Sequence, residues 1–183
     1  MILKLKLTPG IYLVGFMGCG KTTVGQALAD ELGWSFFDLD EDIEKAAGCS
    51  IASIFDTRGE AAFREMETAA LKKRIASVRM GRPQVISLGG GAFSIQENFD
   101  LAFHHGITLW LDTPYEVIER RLAAETQSDG ETHRPLARDP LRMRHLYESR
   151  RDDYARADYR IEPRDDEPAK VVARILELPL LTP

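Results

Sequence analysis

The sequence predicts an α/β fold, a parallel β-sheet with helices packed on both of its faces. Three observations carry that expectation. Short apolar runs of strand length alternate with longer segments of helical apolar spacing. The stretches that bear recognisable chemistry fall at the carboxyl ends of the predicted strands, where such sheets bind ligands. The chain has 183 residues, 44% hydrophobic and 29% charged, which suits one soluble globular domain with a sizeable core, spanning residues 1–183.

The elements follow in order. "IYLVGF" (11–16) is apolar and ends in glycine, a buried strand. "KTTVGQALADELG" has helical spacing and stops at Gly33. "WSFFDLD" reads as the second strand and "EDIEKAAG" as a short helix. Ser50 caps a further helix through "SIASIF". "EAAFREMETAALKKRIAS" is a long helix with Phe63, Met66 and Ala70 on one stripe. "QVISL" and "GITLWLD" are the third and fourth strands. Thr113-Pro114 opens the helix "PYEVIERRLAA", threonine as N-cap and proline at the first helical position. Asp139-Pro140 repeats the device before "LRMRHLYESRRDDYARA". "ADYRIE" is a fifth strand and "PAKVVARILEL" a closing helix. Between the two proline-started helices lies "ETQSDGETHRPLARD", a polar loop of about fifteen residues, the length of an active-site lid.

Composition excludes several classes. The net charge of −5 and the lack of a large basic stretch argue against a nucleic-acid partner. Arginines between Arg134 and Arg164 are interleaved with acids and read as a local anion-handling region. Cys19 and Cys49 have no metal or disulfide spacing, and His104, His105, His133 and His145 have no metal-ligand spacing. No apolar run reaches the roughly 18 residues of a membrane span. The start "MILKLKLTPG" carries lysines within its apolar stretch and lacks a signal-peptide core. A reduced, cytoplasmic setting is expected.

"GFMGCGKT", Gly15 to Thr22, fits G-x-x-x-x-G-K-[ST] between a strand and a helix, a P-loop in its required context. Its N–H groups and the helix N-terminus suit a β-phosphate, Lys21 the β- and γ-phosphates, and the Thr22 hydroxyl a Mg²⁺ ion. Met17, Gly18, Cys19, Gly20 and Thr23 complete the expected ATP-binding loop. The P-loop names the donor, not the acceptor. Asp38 and Asp40 stand two apart at a strand end, which would turn both to one face. One carboxylate can serve Mg²⁺ and the other a substrate hydroxyl. The acids around Asp40 equally suit helix capping, a role that fits Asp38 poorly. Arg64 has Glu60 four residues before it and Glu67 three after. That is either a surface ion-pair row or a guanidinium held for an anionic substrate, and the helix alone favours the row. Three glycines, Gly89 to Gly91, follow the third strand. One would suffice for close packing; three suit a bare backbone concavity against a ligand.

The segments "GFMGCGKTTVG", "FFDLDEDIE", "GCSIASIF", "GEAAFREME", "ISLGGGA" and "RPL" resemble shikimate kinases in order and spacing over nearly the whole chain. The resemblance implies the three-layer P-loop NTPase fold of the nucleoside monophosphate kinases. Its sheet has five parallel strands in the order 2-3-1-4-5, with a mobile lid, here about 124–138. It also implies transfer of the ATP γ-phosphoryl to the 3-hydroxyl of shikimate, with Mg²⁺. Asp40 then binds the shikimate hydroxyls and is the candidate base, and Asp38 is the acid near the metal, within a shikimate-binding region of about 38–67. Arg64 binds the carboxylate with Glu67 as orienter, Gly89, Gly90 and Gly91 form the substrate floor, and Phe55 and Phe63 form apolar walls. Arg134 is the lid arginine that closes on the phosphates, and Arg121 lies beside adenine. The family pattern R-x-P-L-Y is replaced here by "SRRDDYARAD", which makes Arg150, four residues before Tyr154, the second carboxylate ligand, with Arg151 adjacent. The lid also departs from the pattern, with "RPLARD" where a more apolar run is common. The resemblance implies two small-molecule substrates, no nucleic acid, no membrane and a monomer. Gluconate kinase, whose substrate also carries hydroxyls and a carboxylate, is the alternative on the same fold; a nucleotide-binding module without turnover is the alternative of another class.

Overall fold

The computed structural model describes residues 10–129, 139–163 and 167–179. The strands are β1 (Gly10–Val14), β2 (Ser35–Asp38), β3 (Gln84–Ser87), β4 (Ile107–Leu111) and β5 (Tyr159–Ile161). They form one parallel sheet in the order β2-β3-β1-β4-β5. The helices are α1 (Lys21–Leu32), α2 (Leu39–Ala47), α3 (Ile51–Arg79), α4 (Gln96–His105), α5 (Tyr115–Asp129), α6 (Pro140–Tyr154) and α7 (Pro168–Leu176). A 3₁₀ turn covers Ala92–Ser94.

The order explains where a ligand fits. From β1 the chain crosses past β3 to β2, then returns, so its crossovers run in both directions. Right-handed crossovers in opposite directions lie on opposite faces. Accordingly α1 packs with α7 and α3 with α4, two separate pairs. The direction reverses between β1 and β3, where a crevice opens beyond the strand ends. Register brings those ends level: Asp38 lies beside Ser87, and Ser87 beside Leu13. Gly15 and the triple glycine therefore leave the sheet on either side of one crevice.

β1, β3 and β4 are buried throughout, as inner strands with both faces covered must be. Leu13, Leu28, Ile86 and Leu109 are fully buried in the main core. A smaller cluster of Ile43, Ile54 and Phe63 joins α2 to α3. Arg74 forks onto both oxygens of Asp42 and lies 3.4 Å over the Phe37 ring, which ties α3 to the start of α2.

Two expected caps form. Ser50 Oγ accepts from Ser53 N at 3.2 Å, and Asp139 Oδ1 from Arg142 N at 3.0 Å. The helix through "SIASIF" and the long helix after it meet end to end at Gly59, whose φ of 79° breaks the helical path. Two expectations are corrected. Thr113 does not spend its hydroxyl on the helix after it; Oγ1 donates to the Cys19 carbonyl at 2.9 Å, and α5 begins at Tyr115. That helix runs on to Asp129, so residues 125–129 of the expected polar loop are helical. Between β3 and β4, a stretch to which the sequence assigns no element, α4 forms; it has no side-chain cap and so carries little local signal.

Gly25 marks the contact of α1 with the sheet. A Cβ there would lie 2.5 Å from Phe36 Cε2 and 2.9 Å from Leu13 Cδ1. Alanine favours a helix interior by about 1 kcal/mol over glycine, but overpacking costs about 1–3 kcal/mol. Gly25→Ala is expected to lower stability, read as a lower urea midpoint; an unchanged or higher midpoint would show that α1 has room to shift.

Candidate active site

The donor side is built by the turn from β1 into α1. Gly20, with φ of 100°, is the N-cap of α1, and Gly15 has φ of 141°. Neither conformation suits a residue with a Cβ. Lys21 Nζ donates to the carbonyls of Gly15 at 2.9 Å and Phe16 at 3.0 Å, and lies 3.9 Å from Cys19 Sγ. Cys19 is buried. Its carbonyl accepts from Thr113 Oγ1 and, at 3.4 Å, from Arg121 Nη1, so the turn after β4 and α5 both brace the loop. Tyr147 Oη extends that brace by donating to Thr113 O at 3.1 Å.

Thr22 Oγ1 donates to Asp38 Oδ2 at 2.9 Å, so the two expected metal-site oxygens face one another. An all-oxygen pair beside a phosphate loop suits Mg²⁺, which keeps waters and phosphate oxygens as its other ligands. No group of three His, Cys, Asp or Glu side chains able to hold a metal occurs among the described residues. Asp38 is also the N-cap of α2, its Oδ1 accepting from Asp40 N at 3.0 Å. This corrects the expectation that Asp38 fits capping poorly. It also corrects the strand argument for the pair: Asp40 sits in the first turn of α2, and helix geometry, not strand alternation, brings it to the cleft.

The acceptor side gathers on the three glycines. A Cβ on Gly89 would lie 2.8 Å from both Asp40 Oδ1 and Glu67 Oε1. One on Gly91 would lie 2.8 Å from Arg64 Nη2 and 3.1 Å from Arg150 Nη2. One on Gly90 would lie 3.5 Å from Arg150 Nη1 and 3.6 Å from Met17 N of the P-loop. The bare backbone thus faces two carboxylates at one end and two guanidiniums at the other, with the P-loop across from its middle. Arg64 Nη1 donates to Glu67 at 2.9 Å, and Nη2 donates to Glu60 at 3.2 Å. The ion-pair row exists, and the same guanidinium turns to Gly91.

Arg150 and Arg151 separate by direction. Arg151 forks onto Asp112 at 2.7 and 2.9 Å, and its Nη1 also lies 2.7 Å from Tyr147 Oη. Arg150 turns the other way, toward Gly90 and Gly91. Tyr154 Oη donates to the Gly90 carbonyl at 2.5 Å, and burial pushes its phenol up. In the sequence Tyr154 marks only the position four residues after Arg150; its hold on Gly90 joins segments too far apart to be legible there. Glu67 is fully buried, and desolvation pushes its carboxyl up, opposed by Arg64 and reinforced by Asp40.

Lys21, Thr22, Asp38, Asp40, Arg64, Glu67, the three glycines and Arg150 line one cleft of about 2010 Å³, more than the 300–1,000 Å³ usual for one small ligand. Arg121 also lines it, as do Pro163, Pro168 and Val171, three apolar positions that carry no signal in the sequence. Phe55, 37% exposed, and Phe63, buried in the α2–α3 cluster, both line the cleft. Thr23 and His145 also line the cleft. Arg134 and His133 lie outside the described residues, as does the expected lid from residue 130 to 138.

A family model described as shikimate kinase matches residues 17–179. A shikimate kinase of Persephonella marina is 39% identical over 167 residues, covering 91% of this chain and 96% of its own. A solved shikimate kinase from Acinetobacter baumannii in complex with shikimate superposes with a TM-score of 0.82 at 35% identity, over 94% of this chain and 93% of that one. A gluconokinase from Sinorhizobium meliloti, 18% identical with a TM-score of 0.52 over 92% of this chain and 90% of its own, shares the fold alone.

Proposed function

The chain belongs to the shikimate kinase family, and on that premise we propose which of its residues carry the reaction. The activity is transfer of the γ-phosphoryl of ATP to the 3-hydroxyl of shikimate, giving shikimate 3-phosphate and ADP, a step of aromatic amino-acid biosynthesis. The observation that carries the residue roles is the convergence of Asp40, Arg64 and Arg150 on Gly89–Gly91, facing the P-loop across one cleft.

Shikimate is a carboxylate with ring hydroxyls, so it needs cationic donors at one end and an acceptor at the other. Arg64 and Arg150 hold the carboxylate, two guanidiniums whose charge-assisted bonds set its direction. Asp40 accepts the hydroxyl and aims its oxygen at the phosphoryl. Gly89–Gly91 form the floor on which the ring lies. Binding at the remote carboxylate thereby orients the reacting hydroxyl. On the donor side the N–H groups of Gly15–Thr23 cradle the phosphates, and Lys21 exchanges the Gly15 and Phe16 carbonyls for phosphate oxygens. Arg121, with the apolar Pro163, Pro168 and Val171, receives adenine. Thr22 and Asp38 would hold Mg²⁺, which when bound neutralises phosphate charge. Arg134 supplies further positive charge from the lid, and closure of the lid excludes water. The same reading has the chain working in the cytoplasm as a monomer on two small-molecule substrates, without nucleic acid. No described helix is long and apolar enough to cross a membrane.

The test of the acceptor is ADP release with Mg-ATP and shikimate, gluconate or nucleoside monophosphates. Only shikimate should drive turnover; turnover with gluconate and none with shikimate would overturn the assignment. Arg64→Ala separates the two halves of the cleft. Loss of a charge-assisted contact worth about 1.5–3 kcal/mol should raise the shikimate KM roughly 10- to 100-fold, with ATP affinity nearly unchanged. Equal losses for both substrates would contradict a carboxylate role.

A further inference from the structure

We propose that Glu67 takes up a proton as the carboxylate substrate docks and becomes a neutral hydrogen-bond donor behind Asp40. The inference rests on the shikimate kinase reading and deepens it, because that reading gives Glu67 no part beyond steadying Arg64.

The geometry is that of an acid with half its bonding capacity unused. Glu67 has no solvent exposure. Oε2 accepts from Arg64 at 2.9 Å, while Oε1 has no hydrogen-bond partner among the described residues. Oε1 and Asp40 Oδ1 both lie 2.8 Å from the same point beside Gly89, so at most one water molecule fits between them. An ionised carboxylate offers only acceptors, and two of them facing each other in a buried wall repel. A proton on Oε1 converts that contact into a donor and an acceptor.

Among the described residues, few charged groups face Glu67. Asp40 faces it from α2, Arg150 from α6 and Arg64 from its own helix; the glycine segment contributes none. Farther along α3 the ion pairs are made elsewhere, Lys72 with Glu97 and Arg74 with Asp42. Burial already pushes Glu67 up, and Arg64 is the main group holding it down. A substrate carboxylate on Arg64 and Arg150 cancels the field of both and draws donors from Glu67. It also displaces water from the cleft. Each change disfavours the ionised form, so each favours uptake of a proton. The proton comes from the solvent buffer and ends on Oε1; no other bond is made or broken. With Oε1–H donating toward Asp40 Oδ1, the charge of Asp40 stays on the face turned to the hydroxyl.

The test is calorimetric titration of shikimate into the full chain in buffers of different ionisation enthalpy. The wild type should take up a measurable fraction of a proton per shikimate bound, with affinity that weakens as pH rises. Glu67→Gln, a permanent neutral donor of the same shape, should bind shikimate with that uptake lost and a flatter pH profile. A purely structural role for Glu67 would leave the proton count unmoved. His145 also lines the cleft, and the difference between wild type and variant removes its contribution. The proposal is overturned if the variant keeps the wild-type proton count, or if the wild type binds shikimate without uptake. Should the variant fail to fold, infrared difference spectra of the wild type decide: shikimate should bring up a protonated-carboxyl C=O band, and its absence overturns the proposal. If the wild type binds no shikimate at all, the functional reading fails instead.

Discussion

Asp40→Asn should lower turnover by about 10²- to 10⁴-fold, the usual worth of a positioned acid or base, while ATP binding is largely kept. The substitution preserves shape and removes charge. Asp40 sits in the first turn of α2, its backbone N–H bonded to Asp38 Oδ1, so the asparagine occupies the same place. Its amide cannot take a proton from the acceptor hydroxyl and presents a donor where an acceptor is needed. In the proposed arrangement the phosphates sit at the P-loop, which Asp40 does not build, so nucleotide affinity has no reason to fall. Steady-state ADP release and a separate ATP titration read the two quantities. Turnover near the wild-type level would remove Asp40 from the chemistry. A parallel loss of ATP affinity would show that α2 had moved, and the variant would then speak only to structure.

Gly89→Ala should cost roughly 10²-fold in kcat/KM for shikimate, the scale of a misplacement near 1 Å, with little loss of stability. The backbone of Gly89 is not in the left-handed region, so strain is not the cause. The cause is the added Cβ, 2.8 Å from Asp40 Oδ1 and 2.8 Å from Glu67 Oε1. Both oxygens must retreat. Asp40 is a short side chain, and α2 is anchored to α3 by the Asp42–Arg74 pair, so there is little slack to absorb the shift. Glu67 retreats only by disturbing Arg64. Kinetics on a variant with a near-normal thermal midpoint check this. Activity within two- to threefold of wild type would mean that the two carboxylates do not need their present spacing.

Part of this was legible because it is local. The P-loop glycines announce backbone angles that other residues resist, and the spacing from Gly15 to Thr22 is set by one turn of chain. The expected strands each appear, with ends that shift by no more than two residues, since apolar runs of strand length have few other places to go. Asp139 and Ser50 cap as read, a matter of a few neighbouring atoms. Thr113 carried the same local signal and went elsewhere, because the Cys19 carbonyl, remote in sequence, lies within 2.9 Å of its hydroxyl. Arg64 shows both sides at once. Its helical neighbours Glu60 and Glu67 were readable, but its turn toward Gly91 was not, since nothing in the helix says which face meets β3.

By itself the sequence determined the alternation of strands and helices, the phosphate loop, the family and hence the reaction. These depend on period, on backbone angles only glycine tolerates, and on spacings within short segments. Only the tertiary structure decided that Asp38 both caps α2 and meets Thr22, that Arg151 is held by Asp112 while Arg150 faces the glycines, and that Tyr154 anchors Gly90. It also decided that Glu67 is buried with an oxygen beside Asp40. Apart from the Asp38 cap, which reaches only to Asp40, each is a contact between segments far apart in the chain. Which of two adjacent arginines turns to the cleft, and which acid loses its water, follows from sheet order and register, and no local run of residues carries that information.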